Sequence, residues 1–204
     1  MLVKSLILTA GLLLTAFTST ALDKATPAGL EYCTVCHGSQ LKGNPNIGAP
    51  RLSDLSKSYV ERQLHNFKSG IRGAHSEDDR GGEMRPMVSV LSDEELSSIA
   101  QWVANTNSSK PKPTLQANTA KGEALYQTCV ACHGANAQGN DALGAPKLSG
   151  LNDWYLATQL NHFRLDIRGN KQSDTYGQQM KAASKVIASE QDVANLAAYI
   201  SQLN

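Results

Sequence analysis

The chain repeats its own sequence with a fixed offset of 96 residues. Between 30–84 and 126–180, 22 of 55 aligned positions are identical, and no gap is needed. Each copy contains the pattern Cys-x-x-Cys-His, at 33–37 in the first copy and at 129–133 in the second. A duplication of this extent predicts two domains of the same fold in tandem. It does not predict a solenoid, which needs at least about three repeats.

The composition changes between the two copies, at residues 108–116. This stretch contains Pro111 and Pro113 and shows little apolar periodicity, which is typical of a linker. We therefore predict a first domain at 22–107, a linker at 108–116 and a second domain at 117–204. Domains of about 90 residues bury only modest cores. A buried prosthetic group is therefore expected to add to the stability of each one.

The pattern of apolar residues is helical in both copies. A capping box at 92–95 precedes apolar side chains spaced i, i+3, i+4 and i+7, and the stretch after Ser189 repeats this pattern. Middle helices are predicted near 58–69 and 154–165, and a further helix should lead into each cysteine motif. Because no segment alternates as a strand does, the predicted fold class is all-α, with long loops in each domain, one of which ends at Met84.

The Cys-x-x-Cys-His motif has the spacing of covalent haem attachment. Two cysteines three residues apart reach the two vinyl groups of one haem and form thioethers, and the adjacent histidine then lies under the iron. A redox dithiol would need a βαβ setting, structural zinc would need four ligands per site, and short disulfide loops would stabilise little. We therefore predict two haem c groups. Their attachment residues are Cys33, Cys36, Cys129 and Cys132, and their first iron ligands are His37 and His133.

The offset also points to the second axial ligand of each iron. Met84 and Met180 occupy equivalent positions, each 47 residues after its motif histidine, whereas the rival Met87 aligns with Ala183. Methionines can also simply fill a core, but their matched placement favours ligation. The remaining histidines outside the motifs do not recur at equivalent positions: His65, His75 and His162. Histidine–methionine ligation raises the reduction potential and closes the iron to substrates. We therefore predict one-electron transfer and no catalysis.

Three further pairs recur and are candidates for the surroundings of the haem. A guanidinium pairs well with a carboxylate such as a haem propionate, although arginines are also common on surfaces. The tyrosines could reach propionates or pack on the haem edge, and the prolines could pack on the histidine side or only form turns. These candidate residues are Arg72 and Arg168, Tyr59 and Tyr155, and Pro50 and Pro146.

The N-terminus predicts export. Lys4 precedes an apolar stretch at 5–17, and small residues lead to a cleavage site after Ala21, which together predict a signal peptide at 1–21. A periplasmic location fits, because bacteria attach c-type haem outside the cytoplasm. The copies are nearly neutral, with ten basic against eleven acidic residues in 22–110 and eight against seven in 111–204. Nucleic acid is therefore excluded as a partner.

Taken together, these motifs resemble the dihaem cytochromes of the c4 type. The resemblance extends over about 25–204. It rests on the tandem Cys-x-x-Cys-His motifs, the Gly-Ala-Pro loops, the Gln-Leu-x-x-Phe helix and the methionine before a Ser-Asp-Glu-Glu-type helix. It implies two class I cytochrome c domains, each wrapped around one haem. It also implies that the carbonyl groups of Pro50 and Pro146 contact the histidine ligands.

The same resemblance implies redox partners. A c4-type protein is a periplasmic carrier in a respiratory chain, with a donor such as a quinol-oxidising complex and a terminal oxidase as acceptor. Some members associate loosely with the membrane. Two alternatives stay open from the sequence. One is a dihaem subunit of a dehydrogenase complex, such as a sulfide-oxidising flavocytochrome. The other is a dihaem enzyme, such as a peroxidase or a thiosulfate dehydrogenase.

Overall fold

The computed structural model describes residues 26–203, and the regular structure in this range is helical. The predicted signal peptide, 1–21, lies outside the described residues. Two isolated β-bridges close equivalent loops, one between Asn44 and Ala49 and the other between Asn140 and Ala145. None of the helices within 26–203 combines the length and the apolar character that a bilayer crossing requires.

Among the described residues, four α-helices belong to the first domain. The middle helix α2 packs against both α3 and α4, and its apolar face supplies Val60, Leu64 and Phe67 to the core. A complete capping box at Ser92 starts the last helix, as predicted. The helices are α1 Glu31–His37, α2 Lys57–Lys68, α3 Asp79–Ser89 and α4 Asp93–Asn105.

Five α-helices form the second domain, which repeats the packing of the first. The middle helix α7 contacts α8 and α9, and the additional helix α5 crosses α9. The two backbones approach closely at Gly122, where a Cβ atom would overlap the carbonyl oxygen of Asn195. Only glycine permits this crossing. The helices are α5 Thr119–Tyr126, α6 Val130–His133, α7 Asp153–Arg164, α8 Thr175–Ser184 and α9 Glu190–Gln202.

The structure corrects the predicted loop before Met84, because helix α3 begins at Asp79 and contains this methionine. Two glycines and Pro86 conceal the helix in the sequence, since both residue types are poor helix formers. An N-cap starts the helix instead: the carboxylate of Asp78 accepts a hydrogen bond from a backbone N–H of the first turn. Asp174 caps α8 in the same way. Each candidate methionine is therefore held on a capped helix.

The segment between the domains is not helical, but it is anchored at both ends. Near its start, the guanidinium of Arg51 donates hydrogen bonds to the hydroxyl and to the carbonyl oxygen of Ser108, and each donor–acceptor distance is 3.1 Å. Near its end, the carboxylate of Asp153 accepts hydrogen bonds from the backbone N–H groups of Thr114 and Leu115. The linker is therefore tied to both domains.

Candidate haem centres

Each motif histidine is held by the proline of its Gly-Ala-Pro loop. The distance from Nδ1 to the proline carbonyl oxygen is 2.8 Å between His37 and Pro50, and 2.9 Å between His133 and Pro146. Since a carbonyl oxygen only accepts, Nδ1 must carry the proton, and the lone pair of Nε2 is free for a metal. Burial lowers the pKa of both histidines, and the bond to the proline carbonyl opposes this shift only in part. Both rings are therefore neutral ligands at neutral pH.

Each predicted methionine lies at the same site as its motif histidine. In the second domain, Sδ of Met180 lies 3.5 Å from Nε2 of His133, so the two candidate ligand atoms face each other directly. In the first domain, Met84 and His37 line the same cavity. Met87 also lines this cavity, but 41% of it is exposed on the outer side of α3.

The walls of the first-domain cavity are almost entirely apolar. The cysteines stand at its edge: Cys33 lines it, Cys36 is exposed, and neither forms a disulfide. An apolar pocket lined by the ring of His37, two methionine thioethers and the thiol of Cys33, with Cys36 three residues further along α1, has donors that fit a covalently attached haem. The side chains around the two ligands include Tyr32, Leu41, Leu52, Leu64, Val88, Leu91, Ile99, Trp102 and Val103.

The recurring arginines meet at the interface between the domains. The guanidinium of Arg72 donates to Gln63 of its own domain over 2.9 Å. It also reaches across the interface to the hydroxyl of Tyr155 over 3.0 Å and to Gln159 over 3.1 Å. Its plane stacks on the ring of Phe67, with 4.5 Å to the ring centre. Each contact of this arginine has an equivalent in the other half of the molecule.

Arg168 makes the equivalent set of contacts in the opposite direction. It donates to Gln159 of its own domain over 2.6 Å, and across the interface to Gln63 over 2.7 Å and to the hydroxyl of Tyr59 over 3.5 Å. Its plane stacks on Phe163. Burial raises the pKa of Tyr59, but the two guanidinium groups beside it lower the pKa by more than burial raises it. The sequence paired these residues with haem, but it did not indicate that they reach across the interface.

The two arginines are buried cations. Each is 8% exposed, neither forms an ion pair with a carboxylate within 26–203, and Nε of Arg72 is buried without a hydrogen-bond partner. Burying a charge without a counterion is expensive. The interface therefore holds two buried positive charges that an anionic group could offset.

One of the histidines that do not recur between the copies lies in this interface. The side chain of His162 is 13% exposed, and its Nδ1 lies 3.5 Å from a carboxylate oxygen of Asp78 in the other domain. No periodicity of the sequence indicates this contact, because the two residues are far apart in the chain and their pairing depends on how the domains dock.

Comparison with known proteins agrees with these observations. The sequence signature of the family "Cytochrome c" matches residues 29–107 and 119–204. Cytochrome c4 of Pseudomonas aeruginosa is 33% identical, over 98% of this chain and 97% of the relative. The crystal structure of reduced recombinant cytochrome c4 from Pseudomonas stutzeri superposes with a TM-score of 0.68 at 29% identity, covering 86% of this chain and 95% of the other.

A relative that is named for a different redox partner has the same percentage identity. The thiosulfate dehydrogenase electron acceptor of Stutzerimonas stutzeri is 33% identical over 78% of this chain and 75% of its own length. Two helical domains, each with a haem-attachment motif, define a dihaem c-type cytochrome. The chain belongs to the cytochrome c family, as a tandem member of the c4 type. It carries two covalently bound haem c groups and transfers electrons.

Proposed function

We propose that this protein is a periplasmic carrier that accepts one electron at each haem and passes electrons along a respiratory chain to a terminal oxidase. A quinol-oxidising complex is the proposed donor. The observation that carries the proposal is the direct approach of Nε2 of His133 to Sδ of Met180, 3.5 Å apart. Two ligands that face each other leave no open position on an iron between them, which suits electron transfer and not catalysis. The export signal predicted at 1–21 supports the location.

In this proposal the residues of each motif hold one haem. The thioether bonds are formed by Cys33 and Cys36 in the first domain and by Cys129 and Cys132 in the second. His37 with Met84, and His133 with Met180, would bind the two irons. The haem supplies the exchange of one electron between ferric and ferrous iron.

The protein contributes orientation and a constant ligand set. The bond from the histidine Nδ1–H to the proline carbonyl fixes the ring and its tautomer, so Nε2 stays directed at the metal. The capped helices α3 and α8 hold the methionines on the other side. Ligands held in this way would keep their positions when the iron is oxidised or reduced, so that little reorganisation would be needed. The soft thioether stabilises ferrous iron and raises the potential.

We also propose that Arg72 and Arg168 bind haem propionates at the domain interface, with Tyr59 and Tyr155 as further donors. The buried positive charges and the unpartnered Nε of Arg72 support this role. Each guanidinium contacts side chains of both domains. Propionates held there would bring the two haems together at the interface, and electrons would pass between the domains.

A second candidate has a specific observation in its favour. Similarity to a thiosulfate dehydrogenase electron acceptor supports a role as the electron acceptor of such an enzyme. A related possibility is a permanent subunit of a dehydrogenase complex. Rapid mixing of the oxidised protein with a quinol-oxidising complex and with thiosulfate dehydrogenase, followed by mixing of the reduced protein with a terminal oxidase, separates these roles. Efficient reduction by the dehydrogenase alone would contradict the respiratory carrier.

Replacement of the methionines tests the ligand assignment. We expect the wild type to contain two haems per chain and to show the methionine–iron charge-transfer band of both. Met84→Ala and Met180→Ala should each remove the band of one haem, whereas Met87→Ala, a matched control in the same cavity, should keep both. If Met84→Ala left both bands intact, Met87 would replace it as the ligand. If the wild type lacked one band, that iron would be open and an enzymatic role would be favoured.

A further inference from the structure

The arginine contacts at the domain interface are nearly two-fold symmetric, but the buried pair of His162 and Asp78 has no titratable counterpart on the other side. His162 on α7 of the second domain faces Asp78 of the first, and their side chains are 13% and 5% exposed. The positions equivalent to these two carry Asn66 and Asp174. A carboxylate is thus present on both sides, and a group that titrates near neutral pH faces it on one side only.

The contact between the two side chains suits a group that gains and loses a proton. At 3.5 Å the ring and the carboxylate are within ion-pair distance, while Nδ1 of His162 is buried and forms no hydrogen bond. The neutral ring is therefore not locked into place by a strong partner. A protonated ring would gain the attraction of a buried carboxylate, which is strong where water is excluded.

The pKa of His162 is set by opposing contributions from burial and from the surrounding groups. Burial lowers the pKa of His162, Asp78 raises it, and Arg72, Arg168 and His75 lower it further, so that the net shift is downward. The ring is therefore neutral at neutral pH, and Asp78 is the group in contact with it that favours protonation. An added negative charge nearby raises the affinity for the proton, just as an electron on a nearby iron would.

The pair is connected to the first haem centre through Asp78. Asp78 is the N-cap of α3, and its Oδ1 accepts a hydrogen bond from the backbone N–H of Gly81 over 3.1 Å. The same helix carries Met84. Three of the four titratable groups that act on His162 also belong to the first domain: Asp78, Arg72 and His75.

From this placement we propose that His162 binds a proton when the first domain accepts an electron, so that electron transfer is proton-coupled on one side of the molecule. The electron comes from the protein donor and reduces ferric to ferrous iron, and the proton comes from solvent and binds the imidazole ring. No covalent bond to carbon forms or breaks. The inference rests on the proposed function, because it requires a redox-active iron in the first domain.

The coupling predicts how the potentials depend on pH. Because the reduced state binds the proton more tightly, the potential of the first haem falls as pH rises between the oxidised-state and the reduced-state pKa of His162. The reduction equilibrium changes by up to about tenfold per pH unit, the limit for one proton per electron. Outside that window the dependence disappears, and the second haem shows little of it.

The test uses the holoprotein and a matched set of variants. Redox titrations at several pH values are compared for the wild type, His162→Asn, Asn66→His and His65→Asn, and NMR titration of the His162 ring is carried out in the oxidised and reduced states. His162→Asn copies the residue at the equivalent position, so it should fold and should abolish the pH dependence of the first haem. Asn66→His should make the reduction potential of the second haem depend on pH. The exposed control His65→Asn should change nothing.

The outcomes separate this inference from the proposed function. A higher pKa of His162 in the reduced than in the oxidised protein supports the coupling. Equal values, or a pH dependence that survives in His162→Asn, would overturn it even when both haems keep their methionine–iron bands. Loss of a band from the wild type would instead contradict the proposed function. The first haem is identified in these titrations as the one that Met84→Ala changes.

Discussion

Replacement of Asp153 by alanine should release the linker from the second domain. This carboxylate is 1% exposed. It accepts hydrogen bonds from the backbone N–H of Thr114, from the hydroxyl of Thr114 over 2.8 Å and from the N–H of Leu115 over 2.7 Å. A fourth bond, from the N–H of Trp154, lies within its own helix. Three bonds therefore tie the linker to one side chain.

The size of the effect follows from these bonds. A hydrogen bond to a charged acceptor contributes roughly 1.5–3 kcal/mol. The side chain of Thr114 is exposed and its groups regain water on release, so we take the lower value for the two backbone bonds and none for the hydroxyl. The expected loss is about 3 kcal/mol, or roughly 150-fold in the equilibrium between anchored and released linker, since tenfold corresponds to about 1.4 kcal/mol.

Hydrogen exchange at the amides of Thr114 and Leu115 measures this loss directly. The matched control is Lys57→Ala, because Lys57 holds the position equivalent to Asp153 in the first domain. Protection should fall by roughly 150-fold in Asp153→Ala and stay unchanged in the control. Unchanged protection of both amides in Asp153→Ala would refute the reasoning, because the carboxylate would then not hold the linker.

The same anchor predicts an acid dependence. Burial raises the pKa of Asp153, but the bonds from Leu115, Thr114 and Trp154 lower it by more, so the net shift is downward. A depressed carboxylate pKa contributes stability that is fully present above the usual aspartate pKa. This contribution is lost as pH falls through the folded-state value. Protection of the Thr114 and Leu115 amides against hydrogen exchange should therefore decrease in acid in the wild type. It should not depend on acid in this way in Asp153→Ala.

The remaining predictions concern the first haem. Gly73 has a φ of +75°, and a Cβ atom there would overlap the carbonyl oxygen of Gly81 on α3. Gly73→Ala should therefore destabilise the domain by at least about 1–2 kcal/mol and weaken the methionine–iron band. The control Gly82→Ala, whose Cβ would meet its nearest neighbour at 3.7 Å, should keep the band, and a weakened band in the control would contradict this explanation. Arg72→Gln removes a buried cation and should lower the reduction potential of the first haem. The reduction equilibrium should shift toward the oxidised state by up to about tenfold. The exposed Arg85→Gln should have a smaller effect, and equal shifts in redox titrations would argue against a propionate contact.

The sequence by itself determined the features that depend on local spacing. Attachment of a haem needs two cysteines and a histidine within five consecutive residues, so the motif is legible without any structure. The repeat supplied a register that selected Met84 and Met180, since equivalent positions of a duplicated fold lie in equivalent places. The terminal helices were predicted because capping and apolar periodicity are local. Helix α3 was missed because its glycines and Pro86 remove that periodicity, and its start depends on the N-cap.

Only the tertiary structure decided which residues of the two domains contact each other. Arg72 and Tyr155 are 83 residues apart, and His162 and Asp78 are 84 apart. Their contacts exist because one face of each domain docks against the other, and the shapes of folded surfaces determine that docking. Sequence periodicity describes which face of a helix is buried, but it does not identify the opposing surface. For this reason the sequence indicated two haem centres, while the buried arginines and the His162–Asp78 pair that link them emerged from the packing of the domains.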